Sequence, residues 1–229
     1  MSGARQLSRE FGTGPLSRAA ALVHTLLVVE LLLLATTLPA LLPLALLDRD
    51  ASNLPLVAVC LVPVGPALSA ALYALRHQRL DLTDLRPSAV FWRGYRANLA
   101  GVLRIWVPAL LWLTVIAVSL AHRAAAGVPP WWTALLVLVA AGVLLGTANA
   151  LVIVTLFHFR TRDVLRLAAH FLARAPGVAV GTAVLLLAAA GVTAVGSDAV
   201  LALLGSVLAL ALLRIAEPMI ISIRKEFTA

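Results

Sequence analysis

Six long apolar runs, separated by short polar segments, dominate this chain of 229 residues. A membrane-spanning helix needs about 20 apolar residues to cross about 30 Å of hydrocarbon, and each run has about that length or more. The pattern therefore predicts an all-α membrane protein, a polytopic bundle of six transmembrane helices. We place the spans at about residues 20–47, 54–75, 99–121, 131–157, 177–195 and 199–221.

The last two runs allow an alternative interpretation as one span. A single run over 177–221 is too long for one crossing, so we expect Ser197-Asp198-Ala199 to turn between two antiparallel helices. The predicted organisation is then a cytoplasmic tail at 1–18, a single six-helix domain at 19–221 and a cytoplasmic tail at 222–229.

Composition and charge support a membrane location and give the chain an orientation. Hydrophobic residues make up 62% of the chain and charged residues 12%, whereas soluble domains have about 25% charged residues. The net charge is +8, but the basic side chains lie in short segments between apolar runs. That distribution is typical of membrane orientation signals rather than of a nucleic-acid surface.

The basic residues are divided unequally between the two predicted sides of the membrane. The N-terminal tail has three, segment 76–98 five, segment 158–176 four and the C-terminal tail two, fourteen in all. The opposite side has only Arg49 and Arg123. By the positive-inside rule both termini are cytoplasmic. Segments 76–98 and 158–176 then become two basic amphipathic cytoplasmic connectors that meet anionic headgroups.

The second predicted span has a proline-rich start and a polar face. Pro66 has no backbone N–H and frees a carbonyl one turn earlier, so we expect a kink at 62–66. Ser69, Tyr73 and Arg76 follow at spacings of four and three, which places them on one helix face. Two interpretations are open: the kink lines a binding cavity, as in transporters, or it serves helix packing.

Glu30 is the most informative polar residue, because it lies about ten residues into the first span, about 15 Å deep. A buried carboxylate there needs a partner, a proton or water. Arg104 and Arg214 are candidate partners, and with Ser69 and Tyr73 they complete a possible intramembrane polar site. Alternatively, Glu30 serves structure alone while both arginines extend to the headgroups, and Glu217 pairs locally with Arg214.

Other chemistry is not indicated. The chain has no evident nucleophile with a general base and no cluster of metal ligands, so we expect neither an enzyme nor a cofactor. Its one cysteine, Cys60, cannot form a disulfide within the chain. Gly142, Gly146 and Ala150 form a ridge of small residues of the kind that lets helices pack closely.

The first connector is the segment in which we expect a partner to dock. Its candidate residues are basic, aromatic or amide side chains: Arg86, Phe91, Trp92, Arg93, Tyr95, Arg96 and Asn98. With Gly65-Pro66-Ala67 and Ala71-Leu72-Tyr73 before it, the stretch from Phe91 to Asn98 resembles the YesL-type family of small bacterial integral membrane proteins.

The resemblance extends to chain length and the six-span plan. It implies a protein of the bacterial cytoplasmic membrane with no established biochemical activity. It also implies a non-enzymatic accessory factor associated with ABC-type carbohydrate uptake, with sugar ABC transporter subunits as partners. The residues alone leave an alternative open, which is a small secondary transporter or channel that uses Glu30.

Overall fold

The structure, a computed structural model, describes residues 15–47, 50–77, 86–123, 127, 129–157, 159–195, 200–201 and 203–227. Every regular element in these ranges is a helix. Two short 3-10 helices, Leu42–Leu46 and Ala51–Asn53, follow the first α-helix. The α-helices are α1 (Pro15–Leu41), α2 (Leu54–Cys60), α3 (Val64–His77), α4 (Pro87–Ala121), α5 (Pro130–Leu156), α6 (Thr161–Arg174), α7 (Pro176–Val195), α8 (Gly205–Ile215) and α9 (Glu217–Phe227).

Four of these helices, α1, α4, α5 and α7, are long and apolar enough to cross a membrane. Two further pairs pass the same test together but are bent. Segments Ala51–Cys60 and Val64–His77 meet at 41°, and segments Gly205–Ile215 and Glu217–Glu226 meet at 49°. The prediction of an all-helical membrane protein is therefore confirmed, with four candidate spans, or six if each bent pair is one span. The predicted hairpin turn at 197–199 lies outside the described residues.

The part of the first connector from Pro87 onward forms one helix with the span that follows. Helix α4 runs without interruption through 35 residues from Pro87 to Ala121. Its buried positions recur every three or four residues across the expected boundary, at Phe91, Gly94, Asn98 and Val102. One buried face thus continues through the basic segment, and that continuity keeps the helix intact.

The second connector forms its own amphipathic helix, α6, which buries Val164, Ala168 and Phe171. The C-terminal region was expected to be one span over 199–221 followed by a tail. Instead, α8 ends at Ile215, and a second helix, α9, continues to Phe227. Pro218 explains the break. It cannot donate a hydrogen bond to the carbonyl of Arg214, but it is tolerated in the first turn of a new helix.

The break between α2 and α3 covers residues 61–63 and overlaps the stretch 62–66 in which the prolines predict a kink. The carbonyl of Leu61 accepts a hydrogen bond from the backbone N–H of Val64 at 3.2 Å. It accepts a second one from the indole Nε1 of Trp106 on α4, at 3.0 Å. The side chain of a neighbouring helix therefore satisfies a carbonyl at the break.

Helix α3 is the centre of the bundle, because nine of its 14 residues are buried and most of them are small. The small side chains allow neighbouring helices to approach closely. A Cβ added at Gly65 would lie 2.5–2.7 Å from ring atoms of Trp106. Likewise, a Cβ added at Gly94 of α4 would lie 2.7 Å from Tyr73. Two glycines thus fit α3 and α4 against each other.

We expect Gly65→Ala to lower the free energy of unfolding by about 1–3 kcal/mol, because the added methyl group overpacks the contact with Trp106. The Trp106 ring cannot move away without losing its bond to Leu61. The matched control is Gly142→Ala, where an added Cβ meets nothing within 4 Å. Thermal unfolding in detergent measures both variants. Equal unfolding midpoints for the two variants would contradict the tight contact between Gly65 and the Trp106 ring.

Candidate functional site

Glu30 lies on α1 and contacts the start of α8. Its side chain is 8% exposed. One carboxylate oxygen, Oε2, accepts a hydrogen bond from the backbone N–H of Ser206 at 2.6 Å. The other oxygen, Oε1, is buried and has no hydrogen-bond partner among the described residues. One oxygen of the carboxyl group is therefore paired, and the other is buried and unpaired.

The contact with Ser206 is a helix cap supplied by another helix. Helix α8 begins at Gly205, and Leu204 before it has no side chain that can cap. The first N–H groups of a helix have no partner within it, and its dipole makes that end partly positive. Glu30 provides the acceptor. Because 176 residues separate the two partners, the sequence could not reveal this pairing.

Gly205 allows the carboxylate to come this close. A Cβ at that position would lie 3.3 Å from Oε1 of Glu30 and 3.2 Å from the side chain of Leu33. Both distances are tighter than ordinary contact. The Gly205-Ser206 pair inside an apolar run is the one local signal in the sequence for a helix start here, since both residue types favour helix termini.

A cavity of about 590 Å³ lies between α1, α3, α7 and α8. Its walls include Val64, the first residue of α3, and Gly205, the first residue of α8. Leucine side chains supply most of the remaining lining. Thr37 is the one lining residue with a polar side chain, and its hydroxyl donates to the carbonyl of Leu33 at 2.7 Å. The cavity is thus an apolar space beside the break between α2 and α3 and beside the start of α8.

The predicted grouping of Glu30 with Arg104 and Arg214 is not formed. Both arginines are exposed, and neither contributes to the ion pair that Arg76 forms with Glu217. Arg214 lies at the end of α8, nine residues beyond Gly205, or about 13 Å along the helix. Since Glu30 contacts the beginning of that helix, Arg214 is far from the carboxylate.

The polar face of α3 is used for helix packing rather than for a site around Glu30. Ser69 Oγ is 2.8 Å from Thr155 Oγ1 on α5. Tyr73 packs against Gly94 of α4 and stacks on His77. Each residue therefore contacts a different neighbour, although they share one face.

Arg76 completes that face with an ion pair. Its Nη1 donates to both carboxylate oxygens of Glu217 at 2.9 and 3.1 Å. The predicted local pair of Glu217 with Arg214 is therefore wrong. The helix break at Ala216 redirects α9 by 49°, so residues 214 and 217 do not share a helix face.

The predicted docking residues divide into a buried and an exposed set. Phe91 is fully buried, and Asn98 is 8% exposed and donates to the carbonyl of Thr155 at 3.4 Å. Trp92, Arg93 and Arg96 are exposed. The two remaining residues are intermediate cases: Tyr95 is partly buried, and Arg86 is the exposed residue just before α4. The surface that a partner can reach is thus centred on Trp92, Arg93 and Arg96.

Other polar groups lie away from the cavity. The carboxylate of Asp50 accepts a hydrogen bond from the backbone N–H of Ser52, which lowers the pKa of Asp50 below its ordinary value. Asn149 Nδ2 and Thr182 Oγ1 are buried without a hydrogen-bond partner in the described ranges. In those same ranges, no group of three metal-ligating side chains lies together.

We expect Glu30→Ala to lower the free energy of unfolding by about 1–3 kcal/mol, because the buried N–H of Ser206 loses its acceptor. Glu30→Gln keeps an acceptor oxygen and should cost less. The control is Glu226→Ala, since that carboxylate is exposed near the end of α9. Thermal unfolding in detergent ranks the three variants. If Glu30→Ala and Glu226→Ala unfold alike, the capping role is wrong.

Comparison of the chain with protein-family models, with curated proteins and with solved structures gives no match.

Proposed function

We propose that the chain spans a bacterial cytoplasmic membrane six times, with both termini inside. Counting each bent pair as one broken span adds two spans to the four continuous ones. The fourteen-to-two distribution of basic residues supports the orientation. Exposed arginines of the two connectors, among them Arg93, Arg96, Arg162 and Arg166, then meet anionic headgroups on the cytoplasmic side.

A protease-accessibility experiment tests this topology. A tag at either terminus should be cleaved in inverted membrane vesicles and protected in right-side-out vesicles, because six crossings return the chain to its starting side. A cleavage site inserted after Gly127, between α4 and α5, should show the opposite pattern. Cleavage of the two terminal tags from opposite sides would overturn the six-span proposal.

We further propose that the protein is a small secondary transporter that uses Glu30. Two observations support this: an apolar cavity lies beside the break between α2 and α3 and the start of α8, and the carboxyl group of Glu30 is buried against that start. Discontinuous helices line the substrate and ion sites of many transporters, because their free backbone ends can bind charge within the membrane. Here Glu30 is the acidic residue at such an end.

The ion pair of Arg76 with Glu217 gives a structural basis for movement. Arg76 belongs to α3, the second half of one broken span, and Glu217 begins α9, the second half of the other. The pair joins these halves at 2.9 Å. Both side chains are partly exposed, so the pair contributes at most about 1 kcal/mol. A contact this weak can break, so the two halves can separate during a transport cycle.

A second candidate function is the accessory role in ABC-type carbohydrate uptake that the family resemblance implies. One observation favours it. Trp92 is 41% exposed, and exposed Arg93 and Arg96 follow it one and four residues later on the same helix. Aromatic and arginine side chains are enriched where proteins bind one another. On this proposal, the surface contacts a sugar ABC transporter subunit and the protein has no catalytic activity.

One pair of measurements decides between the two functions. Purified protein in pyranine-loaded proteoliposomes should admit protons under an imposed potential, and Glu30→Gln should reduce the rate to that of protein-free vesicles. Glu226→Gln, which changes an exposed carboxylate, should leave the rate unchanged. Absent wild-type flux, or unaltered flux in Glu30→Gln, overturns the transporter proposal.

The accessory role has its own readout. A natively expressed, tagged protein should recover a sugar ABC transporter subunit from detergent extracts, and Trp92→Ala should abolish that recovery because it removes the exposed ring. Recovery that does not depend on Trp92 counts against docking at this surface. Recovery without proton flux favours the accessory role over the transporter.

A further inference from the structure

We infer that a pocket between the end of α4 and the start of α5 binds the phosphate group of a phospholipid and the adjoining part of its hydrocarbon chains. The pocket has a volume of about 300 Å³, at the lower end of the range for small-molecule sites. It lies at the end of α4 remote from Trp92. The inference goes beyond both proposed functions, and it requires only that α4 and α5 cross the membrane.

The pocket lies at the level of lipid head groups. Helix α4 is apolar as far as Ala121, and α5 is apolar from Trp131 onward. Both helices are candidate spans, so the residues between these two points lie at the membrane boundary. Trp131 and Trp132 agree with this position, because tryptophan is enriched at that boundary. The phosphate of a phospholipid is found at the same level in every bilayer.

Arg123 gives the pocket its preference for an anion. It lines the pocket and is exposed, so a ligand can reach its guanidinium group, which stays protonated. The described residues that line the pocket include no acidic side chain. The two helix ends contribute partial charges of opposite sign, because α4 ends and α5 begins here, so the arginine decides the preference. A guanidinium group can hold a phosphate through two parallel hydrogen bonds.

His122 lines the pocket next to Arg123 in the chain. Its Nδ1 is 3.0 Å from the carbonyl oxygen of Val118, and a carbonyl can only accept, so Nδ1 carries a hydrogen. Nε2 is then the ring nitrogen left for a ligand, and it donates when the ring is protonated. The pKa of Asp50 is lowered mainly by hydrogen bonding with Ser52 and to a smaller extent by His122. Asp50 therefore favours the protonated ring.

The rest of the pocket suits hydrocarbon. Its apolar lining residues are Val118, Leu120 and Leu136. Exposed apolar side chains continue from there towards the membrane centre, with Val115 on α4 and Val139 on α5. A soluble phosphate ester would leave this apolar surface uncovered, whereas the chains of a lipid cover it. The combination of a guanidinium group with an adjoining apolar surface thus matches a phospholipid.

Binding of three ligands tests the inference. The protein is purified in dodecyl maltoside, which has neither charge nor phosphate, and titrated with dihexanoylphosphatidylglycerol, dihexanoylglycerol and glycerol phosphate. A ligand that binds the folded state raises the unfolding midpoint in a saturable way. The phospholipid should bind about tenfold or more tightly than dihexanoylglycerol, which lacks the phosphate, and than glycerol phosphate, which lacks the chains.

Two variants and one control locate the binding. Arg123→Gln should weaken the phospholipid by about tenfold or more and leave dihexanoylglycerol unchanged. Thr133→Glu places a carboxylate in the pocket, because Thr133 lines it, and should weaken the phospholipid by repulsion. This variant should fold, since an acidic side chain is favourable in the first turn of a helix. Arg104→Gln changes an exposed arginine earlier on the same helix and should bind like the wild type.

Three results would overturn the inference. Equal affinity for the phospholipid and dihexanoylglycerol would show that the pocket does not recognise phosphate. Equal affinity for the phospholipid and glycerol phosphate would assign the pocket to soluble phosphate esters instead of lipid. Phospholipid binding that neither Arg123→Gln nor Thr133→Glu weakens would place the lipid elsewhere on the protein. These measurements involve neither proton flux nor recovery of a transporter subunit, so this inference and the proposed functions fail separately.

Discussion

Backbone groups that a broken helix releases inside an apolar bundle must find partners within the protein, and the arrangement described above depends on this constraint. At the break between α2 and α3, the indole of Trp106 donates to the carbonyl of Leu61. At the start of α8, the carboxylate of Glu30 accepts from the N–H of Ser206. Both partners come from long helices, α4 and α1, so two continuous helices stabilise the ends of two discontinuous ones.

Close packing makes these contacts possible, and glycine is present where each is made. Gly65 lies against the Trp106 ring, and Gly205 lies against Glu30 and Leu33. Gly142 and Gly146, which look similar in sequence, have open space where a Cβ would be. In the described part of this chain, no neighbouring helix packs against α5 at these two positions. The spacing of small residues shows that one face of a helix lacks bulky side chains. Only the fold shows which helix, if any, packs against that face.

The membrane class could be predicted from sequence because a long apolar run is visible in the composition of the run itself. Every residue of the run contributes to that signal, so no knowledge of the fold is needed. The break near the prolines was also predictable, because the missing N–H groups act locally. The partners of the polar residues were not. Arg76 pairs with Glu217 across 141 positions, and Glu30 pairs with Ser206 across 176. Such pairs depend on which helices become neighbours, and no local pattern records that.

The length of α4 has a mechanical consequence. Its 35 residues form a rod about 52 Å long, whereas the hydrocarbon core is about 30 Å thick. A crossing of ordinary tilt needs only part of this length, and buried Phe91 packs the N-terminal turns of α4 against the bundle. The end of α4 that bears Trp92 is therefore a rigid helix rather than a flexible segment. A rigid binding surface loses little conformational freedom on association. Even a small contact area there can therefore support a specific complex.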